Sequence, residues 1–254
     1  MKNIALILFI FYSVIKINAQ EIKFRDNIDK DSLFSISVQK LPVDIRNEYK
    51  KNYSEGNDQA KEFLLFMISM PQSSKKELIE NFKTKKTEIL NLKSEYQKLV
   101  PKNFIVDIEF EPASKILTTN EKITIKIYIV KDEKKDSSQK NDNLKVISQN
   151  WNLKPESKEL EKVLKSIGWT DETLKAIKKL LDNANCISVD NRKITTIGFS
   201  RSGLGKYSYK IFNHSLDQTE KEEYNNGCEY IFYEENIVLE YGGGATGPQC
   251  FEHE

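Results

Sequence analysis

Two histidines in 254 residues leave this chain short of the side chain that most often serves as a base near neutral pH. His253 stands next to the last residue, where chain ends fray, and His214 in "FNHSLD" follows a strand-like run into a loop. Cysteine is equally sparse. Cys186 with His214 is the one Cys–His combination that a nucleophile could use. "CFEH" supplies Cys250 and His253, with Cys228 as a third donor, but no second ligand pair exists, so no metal site is expected. Charge of one sign is missing too. Lys and Arg number 39 against 38 Asp and Glu, which leaves no basic field to bind nucleic acid. No cofactor motif is complete.

Long apolar runs occur only at the start, in "MKNIALILFIFYSVIKINAQ". Lys2 gives a positive head, Ile4 to Ile15 an apolar stretch, and Ala19 a small residue before a cleavage point, the pattern of a secretory signal peptide over residues 1–19. The run is closed by Lys16 and falls short of the ~20 residues that span a bilayer. No integral membrane segment is expected after cleavage. No cysteine precedes Cys186, so the expectation is export to the periplasm or beyond without a lipoprotein anchor.

What is present predicts an α+β fold in two parts. Residues 20–130 read as a mainly helical domain with two strands. "LPVDIRNEYKKNYSEG" suggests a short helix, and "NDQAKEFLLFMISMP" one apolar almost all round and therefore buried. In "SSKKELIENFKTKKTEILNLKSEYQKLVP", Leu78, Phe82, Ile89, Leu92, Tyr96 and Leu99 recur at helical spacing, with Lys85 the one polar intruder. That spacing predicts a helix of roughly 25 residues packed on the buried one. "NFIVDIEFEP" and "EKITIKIYIV" alternate as strands. Residues 131–143, "KDEKKDSSQKNDN", hold no apolar side chain and read as a linker or long hairpin tip. The domain boundary is placed there, although "LKVISQNW" behind it could rejoin the preceding strand in one sheet. Residues 144–254 predict an αα-hairpin packed on a C-terminal antiparallel sheet.

Two glycine-rich stretches are the candidate sites. In "EYGGGATGPQC", Gly242 and Gly247 have phosphate-loop spacing, but Pro248 stands where the lysine belongs. In "GFSRSGLGKYS", Ser202 occupies the second glycine position of a nucleophile elbow. A hairpin loop is the simpler account of that stretch, with Arg201 and Lys206 as exposed cations at its tip. Arg201, Lys206, Gly242, Gly243 and Gly244 are the candidate binding residues for a ligand or partner. "DQTEKEEYNNGCEYIFYEENIVLE" carries eight carboxylates against one lysine, an acidic stripe fit for a basic partner. Tyr207, Tyr209, Tyr230 and Tyr233 would add aromatic contacts if they face outward.

The cysteines complete the pattern. "CEYIFYE" followed by "NIVLEY" predicts antiparallel strands that place Gly242 opposite Cys228. The glycines then let the chain bend back, predicting a Cys228–Cys250 disulfide and leaving Cys186 as a buried apolar thiol.

The runs "IGFSRSGLGKYSYKIFN", "YNNGCEYIFYEENIVLEYGGGATGPQCF" and "FLLFMISMPQSSKKELIENF" resemble uncharacterised exported proteins of Bacteroidota. The resemblance implies export and no particular catalysis. Proteins of this kind often accompany secreted toxins as immunity partners, which implies a non-catalytic module that binds a protein partner. The alternative is a small periplasmic hydrolase, or a glycan- or anion-binding enzyme, using a cleft between the two glycine-rich stretches. Export is directly measurable: the mature protein is expected to begin at Gln20, and N-terminal sequencing that returns Met1 would exclude cleavage.

Overall fold

In a computed structural model, residues 23–130, 144–242 and 250–251 are described. The signal segment, residues 131–143, Gly243, Gly244 and His253 lie outside them. The chain divides into two compact units.

The first unit comprises residues 23–70 and the excursion Ser114–Thr119. It contains α1 (Lys30–Val38), α2 (Val43–Glu55) and α3 (Asp58–Ile68). Asp29 caps α1 through the amides of Asp31 and Ser32, and Asn57 caps α3. Phe24, Phe34, Val38, Leu65 and Ile68 form its core, and Phe34 stacks on Tyr53 with ring centroids 3.8 Å apart. Residues 114–119 join by the Phe24–Leu117 bridge and by the Arg25 amide donating to Ile116 O.

The second unit, Pro71–Ala113 with Asn120 onward, holds the sheet. Its helices are α4 (Lys75–Leu99), α5 (Lys158–Ser166), α6 (Asp171–Asn183) and α7 (Gln218–Glu223). Its strands are β1 (Ile105–Glu111), β2 (Lys122–Val130), β3 (Leu144–Leu153) and β4 (Ser188–Asp190), then β5 (Thr195–Ser202), β6 (Gly205–Ile211), β7 (Tyr230–Glu234) and β8 (Ile237–Gly242). They form one eight-stranded antiparallel sheet in the order β3-β2-β1-β4-β5-β6-β8-β7. The fold is α+β, as the sequence predicts.

Local chemistry sets the helix ends. Ser74 and Glu77 form a reciprocal capping box at the start of α4, and Thr170 caps α6. Gly168 takes φ +72° between α5 and α6, a left-handed turn that glycine adopts without strain. The α4 stripe is buried from Leu78 to Tyr96, and the helix breaks its regular geometry at Lys85, the polar intruder. That stripe and the apolar faces of α5 and α6 cover one side of the sheet. Alternation puts Val106 and Ile108, Ile125 and Ile127, and Tyr209 and Ile211 into this core.

Three expectations change. The compact units part at Pro71, not at 131–143, because β3 pairs with β2 across that segment and its side chains complete the same sheet. α3 and α4 bury their apolar faces in different cores, one in each unit, where the sequence predicts a shared one. α3 is also not buried all round, since Phe63 and Met67 are exposed. Two short helices, α1 and α7, escaped the sequence reading. β3 itself is irregular: its register slips against β2 twice, and Asn152 takes φ +58° at one slip.

The disulfide joins Cys228 to Cys250. Tyr230 opposes Glu240 in the β7–β8 ladder, and the Tyr241 amide donates to Glu229 O, which carries the register on to Cys228. Next to Cys250, Phe251 donates its amide to Cys228 O and buries its ring against Tyr207 and Tyr241. Peptide mapping without reduction is expected to return the 228–250 linkage with Cys186 as the free thiol. Replacing both bridge cysteines with serine should lower stability by about 3 kcal/mol, as read from denaturant midpoints.

Candidate functional site

The centre of the sheet is its narrowest place. β4 has three residues and shares only short ladders, Asp107–Asp190 to Glu109–Ser188 on one side and Ser188–Gly198 with Val189–Ile197 on the other. A charged cluster spans this strand on the face away from the helices. Glu109 of β1, 8% exposed, accepts from Arg201 Nε at 2.7 Å and from Lys206 Nζ at 3.0 Å. Lys206 Nζ also donates to Ser188 Oγ at 2.9 Å, and Arg201 lies 3.8 Å from Glu111. Burial alone would raise the Glu109 pKa; the Lys206 and Arg201 charges outweigh it and hold the carboxyl below its ordinary value.

Lys206 reaches Glu109 by lying across Gly198. A Cβ there would stand 2.1 Å from Ser188 Oγ and 2.9 Å from Lys206 Cδ. Glycine is therefore required by close approach, not by backbone angle. Neither Gly198 nor Glu109 was singled out from sequence. The alternation of "NFIVDIEFEP" carried the signal, since it places Glu109 on the polar face of a central strand.

Arg201 and Lys206 thus do not protrude from a hairpin tip. They oppose each other across the β5–β6 ladder, and Lys206 opposes Gly242 of β8. The structure brings these three predicted site residues together, while Gly243 and Gly244 fall outside the described residues. The hairpin end is clamped as well: Ser202 Oγ donates to Ser73 O, and the Gly203 amide donates to Pro71 O. With Glu109 shared by both cations and Glu111 3.8 Å from Arg201, two carboxylates stand against two cations, so little positive charge is left for an anionic ligand. The exposed tyrosines also need correction. Tyr207 and Tyr209 are buried, and Tyr230 and Tyr233 are half-buried.

Other candidates separate in space. Cys186 is buried, donates to Ala184 O, and has its pKa pushed well up by burial, while exposed His214 pairs with Glu220. Among the described residues no group of three or more His, Cys, Asp or Glu is placed to hold a metal ion. The acidic stripe is partly spent on internal contacts. Glu240 pairs with Lys210, Glu234 with Lys86, and Glu220 caps α7 and holds His214.

The outer ribbon of β2 and β3 differs. Val130, Val146, Ile147 and Trp151 are all well exposed, Trp151 at 57%. Lys126, Tyr128 and Val130 share a face with Gln149, Val146 and Leu144 opposite them. The ribbon carries Lys122, Lys126 and Lys145 and no carboxylate. Lys126 has a 3.8 Å contact with Asp107, and Arg192 lies over the Tyr128 ring at 5.2 Å. No family model, no curated protein and no solved structure matches the chain.

Glu109 is expected to act as a structural anchor. Glu109→Ala should cost about 3 kcal/mol by leaving two partly buried cations unmatched. Because the native pKa is lowered, this contribution is full above the ordinary value of 4.5 and fades as pH falls through the lower native value. The stability gap between wild type and Glu109→Gln should therefore close in acid, which denaturant titrations across pH will measure.

Proposed function

We propose that this chain is an exported, non-catalytic binding protein that docks an acidic-surfaced protein partner on the β2–β3 ribbon. The exposed Val130, Val146 and Trp151, on a ribbon whose own charged residues are the lysines Lys122, Lys126 and Lys145, carry this reading. Exposed aromatic and aliphatic anchors beside like charges supply both desolvation energy and electrostatic steering toward the opposite sign. The opposite polarity, an acidic stripe receiving a basic partner, is less favoured because several of its carboxylates are already engaged within the chain.

Export is supported by the signal-like start and by the disulfide, which persists in oxidising compartments. No helix among the described residues is long and apolar enough to cross a membrane. An immunity-type role, with a secreted toxin as the partner, is the form that the sequence resemblance implies.

Immobilised wild-type protein and the Val146→Ser/Trp151→Ser variant, both confirmed folded, test the reading against extracts of the producing cells. The expected result is an acidic protein retained by wild type, released by salt, and bound at least about thirtyfold more weakly by the variant. Equal retention by the two proteins would remove the ribbon from the interface.

A further inference from the structure

A cleft of about 440 Å³ opens beside the sheet, within the size range of small-molecule sites. Its origin is local. Phe199 is the extra residue where the β5 register slips between Gly198 and Ser200, and bulges of this kind re-aim side chains. Close by, α6 ends and Asn185 takes φ +51°, turning the chain away from the helix axis. The two irregularities leave a gap floored by Phe110, Cys186 and Phe199, each no more than 9% exposed.

The rim gives the cleft its chemical character. Glu121 lines it and has no ion-pair partner among the described residues. Asp182 also lines it, in the last turn of α6, where the helix carbonyls add partial negative charge. The cleft already receives one ammonium group: Lys178 pairs with Asp182 and places Nζ 5.9 Å from the Phe110 ring centroid. A carboxylate and an aromatic ring converging on a cation form an amine-recognition arrangement.

We propose that this cleft is a binding site for a small organic amine, its apolar body against Phe110 and Phe199 and its ammonium between Asp182 and Glu121. Lys178 stands in for that ammonium within the chain. It is an internal competitor, and a ligand displaces it toward solvent. The site is separate from the β2–β3 ribbon and does not rest on partner docking.

Benzylamine is the probe, with benzyl alcohol as its uncharged counterpart, titrated calorimetrically into the full-length mature protein at neutral pH. Benzylamine is expected to bind and to slow methylthiolation of Cys186 by methyl methanethiosulfonate, in which the thiol sulfur takes the reagent's methylthio group as a mixed disulfide and methanesulfinate leaves, with the alcohol about tenfold weaker. Asp182→Asn should weaken benzylamine binding. Lys178→Gln should tighten it by about tenfold, since the competing ammonium is gone. Equal affinity for amine and alcohol, absence of benzylamine binding, or unchanged or weaker binding to Lys178→Gln would each overturn the assignment. Unchanged melting temperatures of the two variants would establish that the affinities are compared between folded proteins.

Discussion

The sheet depends on one carboxylate. β4 joins the β1–β2–β3 half to the β5–β6–β8–β7 half through three residues, too few for a strong ladder on either side. Glu109 reaches past this strand to Arg201 and Lys206, so an ion triad supplements the hydrogen bonds that the short strand lacks. Under it, Val189 and Ile197 belong to the helix-covered core. The ladder, the triad and the apolar layer thus hold the same seam by different forces. The apolar layer supplies burial, and the triad ties β1 to β5 and β6.

This seam also marks where sequence reading stops. Helix ends depend on local signals, Ser74 with Glu77 at α4 and Thr170 at α6, which lie within a few residues of the turns they cap. The disulfide was legible because its geometry follows from one adjacent hairpin. Arg201 and Lys206 were misread because their partner lies 92 and 97 residues earlier, beyond any periodic pattern. A cation next to glycines reads as exposed until the carboxylate is seen. The domain boundary failed for a related reason: an all-polar segment resembles a linker whether it joins domains or tips a hairpin, and only the β2–β3 register decides.

The candidate surfaces follow from the same accounting of charge. Where cations and carboxylates sit within reach of one another, at Glu109 or along the β7–β8 hairpin, the fold pairs them internally. On the β2–β3 ribbon the strands' own charged residues are all lysines, of which Lys126 lies 3.8 Å from Asp107, and they stand among exposed apolar side chains. The cleft near Phe110 follows this logic with the sign reversed, because Glu121 there has no ion-pair partner among the described residues.

The slipped register of β3 has a separate consequence for the protein in a crowded compartment. A terminal strand with exposed Val146, Ile147 and Trp151 would ordinarily invite neighbouring molecules to stack edge to edge into growing fibrils. Two irregularities in ten residues spoil the even spacing of amide donors and acceptors that such stacking requires. The chain can therefore display adhesive side chains on this strand without offering its backbone as a template for aggregation.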